Sequence, residues 1–253
     1  MTEQPTARRG RVRVEQGSKR VRALAGGRVV ADTLTPVLVW DLPYYPSYYL
    51  PAEDVAAELV DTGEIKHSPS RGDAHVHDVK IGDLVLPGAA LTYPGSPIEQ
   101  LRGLVRLDWE AMGEWLEEDE PVYTHPRDPY KRIDILSSSR HVQVSVAGAL
   151  VADSRQPRVL YETGLPARYY LPMTDIRLDL LRPSSAQSHC PYKGTASYWD
   201  LVIDDTVHEG LVWGYRSPLP ESQKVAGLVA FYNEKVDLVL DDVPQERPKT
   251  PFS

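Results

Sequence analysis

The sequence has few of the residues that build disulfide frameworks, zinc sites or membrane spans. Its single cysteine, Cys190, excludes an intrachain disulfide and the cysteine pairs of a structural zinc site. No stretch approaches the roughly 18 consecutive apolar residues of a transmembrane helix, so we expect no membrane partner. Residues 1–10 lack the apolar core of a signal peptide, and we therefore expect no secretion signal and a cytoplasmic location.

Charge is unevenly placed along the chain. The net charge of −8 argues against non-specific binding to nucleic acid. Residues 1–22 nevertheless contain seven Lys or Arg against two acids, whereas residues 107–120 contain seven acids and no base. We predict that residues 1–19 form a solvated, flexible basic arm. The alternative is an arm that binds phosphate or an acidic partner.

The strongest signal in the sequence is an internal repeat. Residues 21–55 align without a gap with residues 142–176 at an offset of 121, and 11 of these 35 positions are identical. The register continues at offset 122, where Arg71 meets Lys193, and at offset 124, where Gly103 meets Gly227. Slips of one or two residues are what loop insertions give. We infer a duplicated domain, with one copy over residues 20–120 and the other over residues 140–245.

The segment between the copies, residues 121–139, is less polar than a free linker. It contains prolines and charges but also aromatic and aliphatic residues, among them Tyr123 and Ile135. We predict that it packs in the groove between the domains, and that residues 246–253 form a tail.

Apolar residues alternate with polar ones in short runs, a pattern typical of half-buried strands. Val142, Val144 and Val146 follow this pattern, and Ala147-Gly148 predicts a hairpin turn, as Gly26-Gly27 does in the first copy. Further strands are predicted at 37–40, 158–161, 201–203, 211–215, 227–232 and 236–240. The fold class is therefore mainly β, with two tandem small β-barrels or sandwiches.

Short helices are predicted at two kinds of position. Pro51 and Pro172 begin stretches, 51–60 and 172–181, that fit helices with proline in the first turn. Residues 98–116 have helical apolar spacing, but the repeat predicts a strand over residues 103–107. We therefore expect a strand to Leu107 and a short helix from Trp109 to Leu116.

Aromatic residues are concentrated in the second copy and could line a ligand cavity. On strands, Trp213 and Tyr215 share a face, whereas Tyr198 and Trp199 point to opposite faces. An apolar cavity with a few polar groups is the usual small-ligand site, and a lysine suits an anionic or phosphorylated ligand. The alternative is that these rings only fill the core. The predicted ligand-binding residues are Glu162, Tyr169, Lys193, Tyr198, Trp199, Trp213 and Tyr215.

Two further groups of residues could carry chemistry. Cys190 lies beside His189, but neighbouring residues on a strand point apart, so a small buried thiol is the favoured interpretation. His75 and His77 share a strand face at a spacing that metals use, but no third ligand follows nearby, and we predict no metal site. No Gly-rich phosphate loop or hydrolase motif occurs, so neither a cofactor nor a catalytic residue is assigned.

The second copy resembles a bacterial family known as domain of unknown function 427. The resemblance rests on short motifs throughout the copy: Val151-Ala152-Asp153-Ser154, Tyr169-Tyr170-Leu171-Pro172, Cys190-Pro191-Tyr192-Lys193-Gly194, Ala196-Ser197-Tyr198-Trp199, Trp213-x-Tyr215 and Ala230-Phe231-Tyr232. The joining segment, residues 125–130, is similar to that of two-copy members. In the first copy Val76-His77 replaces Tyr198-Trp199, and Leu91 replaces Trp213. Arg71 keeps the positive charge of Lys193, and Tyr93 matches Tyr215.

The resemblance implies a small β-tent-like fold, similar to zinc ribbons but without zinc cysteines. The family that the sequence resembles also carries the label nucleotidyltransferase. This sequence lacks the paired carboxylates on a Gly-Ser motif that metal-bound phosphoryl transfer would use. Some β-tent relatives bind small ligands in aromatic cages. We therefore expect a protein that binds a small anionic or aromatic molecule in its second domain. The alternatives are an enzyme using Cys190 or Glu162, and a protein-interaction module using the arm and the acidic residues 107–120. The sequence does not indicate the oligomeric state.

Overall fold

The computed structural model describes residues 12–250 and 252–253. The chain divides into two compact units between Asp128 and Pro129, here called the first and second domains. In both, strands are the main regular structure, which confirms the predicted mainly-β class. The described helices are 3₁₀ helices of three to six residues, and none has the length and apolar character needed to span a bilayer.

The first domain contains eleven described strands and two 3₁₀ turns. The turns are Ala52–Asp54 and Glu99–Leu101. The strands are β1 (Arg13–Gln16), β2 (Val21–Ala25), β3 (Arg28–Thr33), β4 (Val37–Trp40), β5 (Ser47–Pro51), β6 (Glu58–Ser68), β7 (Gly72–Ile81), β8 (Leu84–Thr92), β9 (Leu104–Leu107), β10 (Glu114–Glu117) and β11 (Glu120–Pro121).

The second domain also contains eleven described strands. Its 3₁₀ helices are Met173–Asp175, Leu178–Leu180 and Pro220–Val225. The strands are β12 (Ile133–Ser137), β13 (Val142–Val146), β14 (Ala149–Ser154), β15 (Arg158–Glu162), β16 (Arg168–Tyr170), β17 (Leu181–Cys190), β18 (Gly194–Ile203), β19 (Thr206–Tyr215), β20 (Val229–Phe231), β21 (Asp237–Leu240) and β22 (Val243–Pro244).

The strand order is the same in both domains, which confirms the duplication. In the first domain one sheet has the order β1-β4-β5-β9-β8-β7-β6 and another the order β11-β10-β2-β3. The second domain repeats this with β12-β15-β16, β20-β19-β18-β17 and β22-β21-β13-β14. A single bridge between Leu171 and Val229 connects β16 to β20, where β5 pairs with β9 in the first domain. Strands β6 and β17 are open edges, so the described strands close no barrel.

The predicted hairpins form in both copies at matching positions. The turn between β2 and β3 has Gly26 at φ 55° and Gly27 at φ 74°, and the turn between β13 and β14 has Ala147 at φ 49° and Gly148 at φ 82°. Positive φ at both central residues is the type I′ geometry, whose twist matches that of the flanking strands.

The long hairpins are held by a repeated side-chain contact. The Asp78 carboxylate accepts a hydrogen bond of 2.7 Å from the Gly88 N–H, and Asp200 accepts one of 2.7 Å from Gly210. Each contact lies where the strand register shifts, between β7 and β8 or between β18 and β19. The carboxylate therefore satisfies a backbone donor that the bulge takes out of the ladder.

Each domain has two hydrophobic clusters because side chains alternate across the long sheet. In the first domain Tyr48 belongs to one cluster and its neighbour Tyr49 to the other. In the second domain Trp199 packs against the cluster around Val142 and Val212, whereas Tyr198 packs against the cluster around Tyr170 and Trp213. This confirms that Tyr198 and Trp199 point to opposite faces.

The predicted helices were wrong. Pro51 is followed by one 3₁₀ turn, and Pro172 by two separate ones, Met173–Asp175 and Leu178–Leu180. Bridges from Ala31 to Val55 and from Ala152 to Ile176 return the chain to an extended path after the first turn in each copy. Residues 109–113 form turns, and 114–117 form β10, which pairs with β2. The strand predicted to end at Leu107 is confirmed as β9.

The domain limits extend beyond those predicted from the repeat. Residues 1–11 of the predicted basic arm lie outside the described residues, but Arg13–Gln16 forms β1 and pairs with β4. Similarly, Ile133–Ser137 of the predicted joining segment forms β12 and pairs with β15. Val122, in the same segment, is buried in the first domain. In the predicted tail, Arg247 pairs with Asp237 at 2.7 Å.

Candidate functional site

An ion pair between Lys193 and Glu162 lies at the centre of the candidate site in the second domain. Glu162 is the last residue of β15, and Lys193 lies in the turn between β17 and β18. The Lys193 carbonyl accepts a hydrogen bond of 3.1 Å from the Leu219 N–H, which fixes the turn. The two charged side chains are 12% and 7% exposed, so the pair is largely withdrawn from water but still reachable.

Buried rings form the floor of the site. Trp213 Nε1 donates a hydrogen bond of 3.3 Å to the Tyr170 hydroxyl, and the two rings meet edge to face at 6.3 Å. Burial raises the pKa of Tyr170 and of Tyr215, and nearby Glu162 and Cys190 raise both further. Both phenols therefore stay protonated near neutral pH.

Two partly exposed tyrosines lie beside the floor. The Tyr198 hydroxyl is 2.8 Å from Ser188 Oγ and 3.4 Å from the Tyr232 hydroxyl. The Tyr232 ring lies 4.4 Å from that of Trp213, and burial raises the pKa of Tyr232. These contacts extend the aromatic floor towards solvent.

A second, deeper ion pair was not predicted from the sequence. Arg168 forms two hydrogen bonds to Glu234, of 2.7 and 2.6 Å, and the Glu234 side chain is 0% exposed. The Arg168 guanidinium also lies over the rings of Trp213, Tyr232 and Phe252, at 5.7, 5.9 and 5.9 Å. Such a planar, doubly bonded pair is rigid and specific.

The surroundings of Glu234 keep it ionised. Burial alone would raise the pKa of Glu234, but the hydrogen bonds from Arg168, from Thr250 Oγ1 at 2.6 Å and from the backbone lower it to about 2. Glu234 is therefore a carboxylate at neutral pH and holds Arg168 in place beside Trp213.

The structure brings together five of the seven residues predicted to bind a ligand. Tyr198, Trp213 and Tyr215 belong to the aromatic cluster that adjoins the ion pair of Glu162 and Lys193. Tyr169 and Trp199 instead pack against the hydrophobic cluster on the other face of the sheet. The strand alternation that separates Trp199 from Tyr198 also separates Tyr169 from Tyr170.

The first domain repeats this polar arrangement with different residues. Arg71 pairs with Asp41 at 2.6 Å, and their side chains are 17% and 10% exposed. Arg71 also donates a hydrogen bond of 2.8 Å to the Tyr49 hydroxyl and lies 5.4 Å from the Tyr93 ring. The matching positions in the second domain are Lys193, Glu162, Tyr170 and Tyr215. An acid, a base and two buried tyrosines therefore occur in both copies.

His77 and His189 lie beside threonine hydroxyls, and Cys190 lies beside two buried tyrosines. His77 Nε2 lies 2.9 Å from Thr92 Oγ1, and exposed His189 lies 2.9 Å from Thr195 Oγ1. No group of three or more metal-binding side chains occurs in the part of the chain that the structure describes. Cys190 is partly buried at the end of β17, beside Tyr170 and Tyr215.

The fold and its repeated site define a mainly-β protein made of two copies of one domain. Comparison with known families agrees with this class: the profile of the family described as domain of unknown function (DUF427) matches residues 13–118 and 134–242. The chain belongs to that family and contains two copies of its domain. No curated protein matches the chain significantly.

Proposed function

We propose that the protein binds a small anionic or aromatic molecule in its second domain. Lys193 is the charged contact, Tyr170 and Tyr215 are hydrogen-bond donors, and Tyr198 and Trp213 supply aromatic surface. The partial exposure of Lys193 and Glu162 above a buried aromatic floor supports this role.

The recurrence of the acid–base pair in both copies is the observation that carries the proposal. Withdrawing two charges from water is costly, and well-packed apolar residues in their place are often equally or more stable. Of the 35 aligned positions near the start of the copies, 24 differ, since 11 are identical. Even so, Asp41 and Arg71 correspond to Glu162 and Lys193. Retention of the pair favours a use beyond stability.

The groups at the site set the chemistry of the ligand. Lys193 and the protonated phenols of Tyr170 and Tyr215 donate hydrogen bonds, so they favour a ligand rich in acceptors. Glu162 provides the acceptor for Lys193 in the free protein. Because Glu162 ends β15 and a turn follows, its side chain can turn outwards when a ligand carboxylate or phosphate takes its place.

A titration of the full chain tests the proposal. Tryptophan fluorescence is followed against nucleotides, sugar phosphates and aromatic acids, with wild type, Lys193→Gln and Trp213→Phe side by side. Saturable quenching that weakens about tenfold in Lys193→Gln is expected, since a charge-assisted contact is lost. Arg71→Gln is the matched control in the first domain and should leave the affinity unchanged. A flat response from folded wild type would contradict the proposal.

The enzyme alternative uses the same site and depends on Cys190. The thiol lies close enough to Tyr170 and Tyr215 to affect the pKa of both phenols, so a ligand on Lys193 would lie near it. Cys190→Ser separates the two functions. Unchanged ligand affinity with loss of ligand turnover would support a cysteine enzyme, whereas no turnover in wild type would support binding alone.

A further inference from the structure

The first domain contains a cleft of its own, with a volume of about 160 Å³. It lies beside the start of β5 and the end of β9. A benzene-sized ligand fits an apolar cavity of about 150 Å³, so the space suits one small ring. Among the residues that line it are Ser47, Tyr48, Arg106, Trp109, Glu110 and His125.

The second domain fills the same place with its own side chains. Strand register matches Ser47, the first residue of β5, to Arg168, the first residue of β16. It matches Arg106, opposite Leu91, to Ala230, opposite Trp213. Glu110 corresponds to Glu234 at the same offset of 124. Arg168 and Glu234 therefore occupy the space that Ser47 leaves open in the first domain.

The walls of the cleft are aromatic and flat. The rings of Trp109 and Trp115 are parallel with centroids 4.9 Å apart, and the Tyr48 ring lies 5.7 Å from Trp115. On another wall the Tyr45 and His125 rings stack at 3.9 Å. Flat aromatic walls favour a planar ligand, because offset stacking buries both faces of a ring.

Arg106 gives the cleft a preference for negative charge. Its side chain is partly buried and forms no hydrogen bond or ion pair with any described residue. Glu110, whose carboxylate would favour a cationic ligand, is exposed and forms no hydrogen bond or ion pair with Arg106. An arginine that lines a cleft and has no partner among the described residues matches a carboxylate, which it can bind through two parallel hydrogen bonds.

We propose that this cleft is a second binding site, specific to the first domain, for a small planar aromatic anion. The ring lies against Trp109, Tyr48 and the stacked Tyr45 and His125, and the ligand's carboxylate pairs with Arg106. The site does not depend on the proposed function of the second domain, because none of its lining residues belongs to that domain.

Benzoate and benzamidine are the probes, because they share a ring and differ in charge. Each is titrated into the full chain by calorimetry, with circular dichroism of every variant as the check on folding. We expect benzoate to bind and Arg106→Ala, which installs the residue of the second copy, to weaken it about tenfold. Ser47→Arg should also block benzoate, because it introduces the side chain that fills this place in the second domain.

Two control variants locate the binding. Arg182→Gln removes an exposed arginine outside the cleft and should leave benzoate affinity unchanged. Lys193→Gln should also leave it unchanged, so that failure of the second-domain site and failure of this one are distinguishable. Absence of benzoate binding, equal binding to Arg106→Ala, or tighter binding of benzamidine than of benzoate would each overturn the proposal.

Discussion

The two domains share their strand order but differ at the place where β5 and β9, or β16 and β20, come together. In the second domain Arg168 and Glu234 fill it with a buried, doubly hydrogen-bonded pair. In the first domain Ser47 leaves a cleft, and Arg106, on a neighbouring strand, has no hydrogen-bond or ion-pair partner among the described residues. One backbone thus supports either an internal ion pair or an open space, depending on two or three side chains.

The other polar pair shows the opposite behaviour. Asp41 with Arg71 and Glu162 with Lys193 occupy matching positions and have similar exposure, although every one of these residues differs between the copies. The place of this pair is therefore preserved in both copies, whereas the place of Arg168 and Glu234 has diverged. Variants at Arg168, Glu234 and Ser47 act on the diverged place, whereas variants at Ala147 and Gly26 act on a turn that differs by one methyl group.

The largest effect is expected from Arg168→Ala. The substitution leaves the Glu234 carboxylate, which is 0% exposed, without its main partner. Breaking a buried pair costs about 3–5 kcal/mol, so the free energy of unfolding of the second domain should fall by that amount. Urea unfolding followed by hydrogen exchange of peptides from each domain measures the loss separately.

Two variants sharpen this result. Ser47→Ala changes the matching position in the first domain and removes only a 3.2 Å hydrogen bond to Asp41, so it should cost about 0.5–1.5 kcal/mol, well below the loss in Arg168→Ala. The double variant Arg168→Met with Glu234→Leu should recover most of the loss, because apolar residues of similar volume often replace a buried pair without cost. A loss below about 1 kcal/mol in Arg168→Ala would show that the pair contributes little.

Acid should destabilise the second domain before the first. Hydrogen bonds lower the pKa of Glu234 from 4.5 to about 2, so its contribution is full above pH 4.5 and is lost as the pH falls towards 2. Its counterpart Glu110 is exposed and forms no such buried pair with any described residue. Hydrogen exchange at pH 6, 4 and 3 should show protection falling first in the second domain.

Glu234→Gln is the control for this pH dependence. The stability difference between wild type and the variant should be greatest at neutral pH and shrink as the pH falls below 4.5. A constant difference across this range would mean that another group controls the acid response.

The smallest effect is expected from Ala147→Gly. Ala147 has a φ of 49°, where its Cβ is strained, whereas the matching residue of the first copy is Gly26. The substitution should stabilise the second domain by roughly 0.5–1 kcal/mol in thermal unfolding. Gly26→Ala should do the reverse, because its Cβ would also lie 3.3 Å from Leu84 Cδ2. Destabilisation by Ala147→Gly would contradict the strain argument.

Alternation and repetition in the sequence were sufficient to predict most of the fold. Val142, Val144 and Val146 alternate because one face of β13 is buried, and the repeat located the equivalent strand in the first copy. Helical spacing failed at residues 109–116 because Gly113, at φ 70°, reverses the chain and β2 offers a pairing edge. That edge comes from a strand some ninety residues earlier, which a local pattern does not contain.

The candidate site was predictable in part for the same reason. Lys193 and Trp213 lie in motifs rich in aromatic residues, which made them candidates for a ligand site, and Glu162 was predicted as a charged group of the same site. Arg168 and Glu234 are separated by 66 residues and belong to no motif. The usable signal was the alignment itself, in which Arg168 replaces Ser47 while the acid at Glu110 and Glu234 is retained. Only strand register shows that the two side chains meet.

The four-stranded sheets determine when each copy can fold during synthesis. In the first copy β2 lies between β3, its neighbour in sequence, and β10, so Val21 pairs with Glu117. In the second copy Val142 pairs in the same way with Leu240. A nascent chain can form the β2–β3 hairpin as soon as β3 leaves the ribosome. The sheet cannot be completed until β10, near the end of the copy, has also been synthesised. We therefore expect the chain to fold in two cooperative steps, one for each copy, and the first step to be complete only after about 120 residues have emerged.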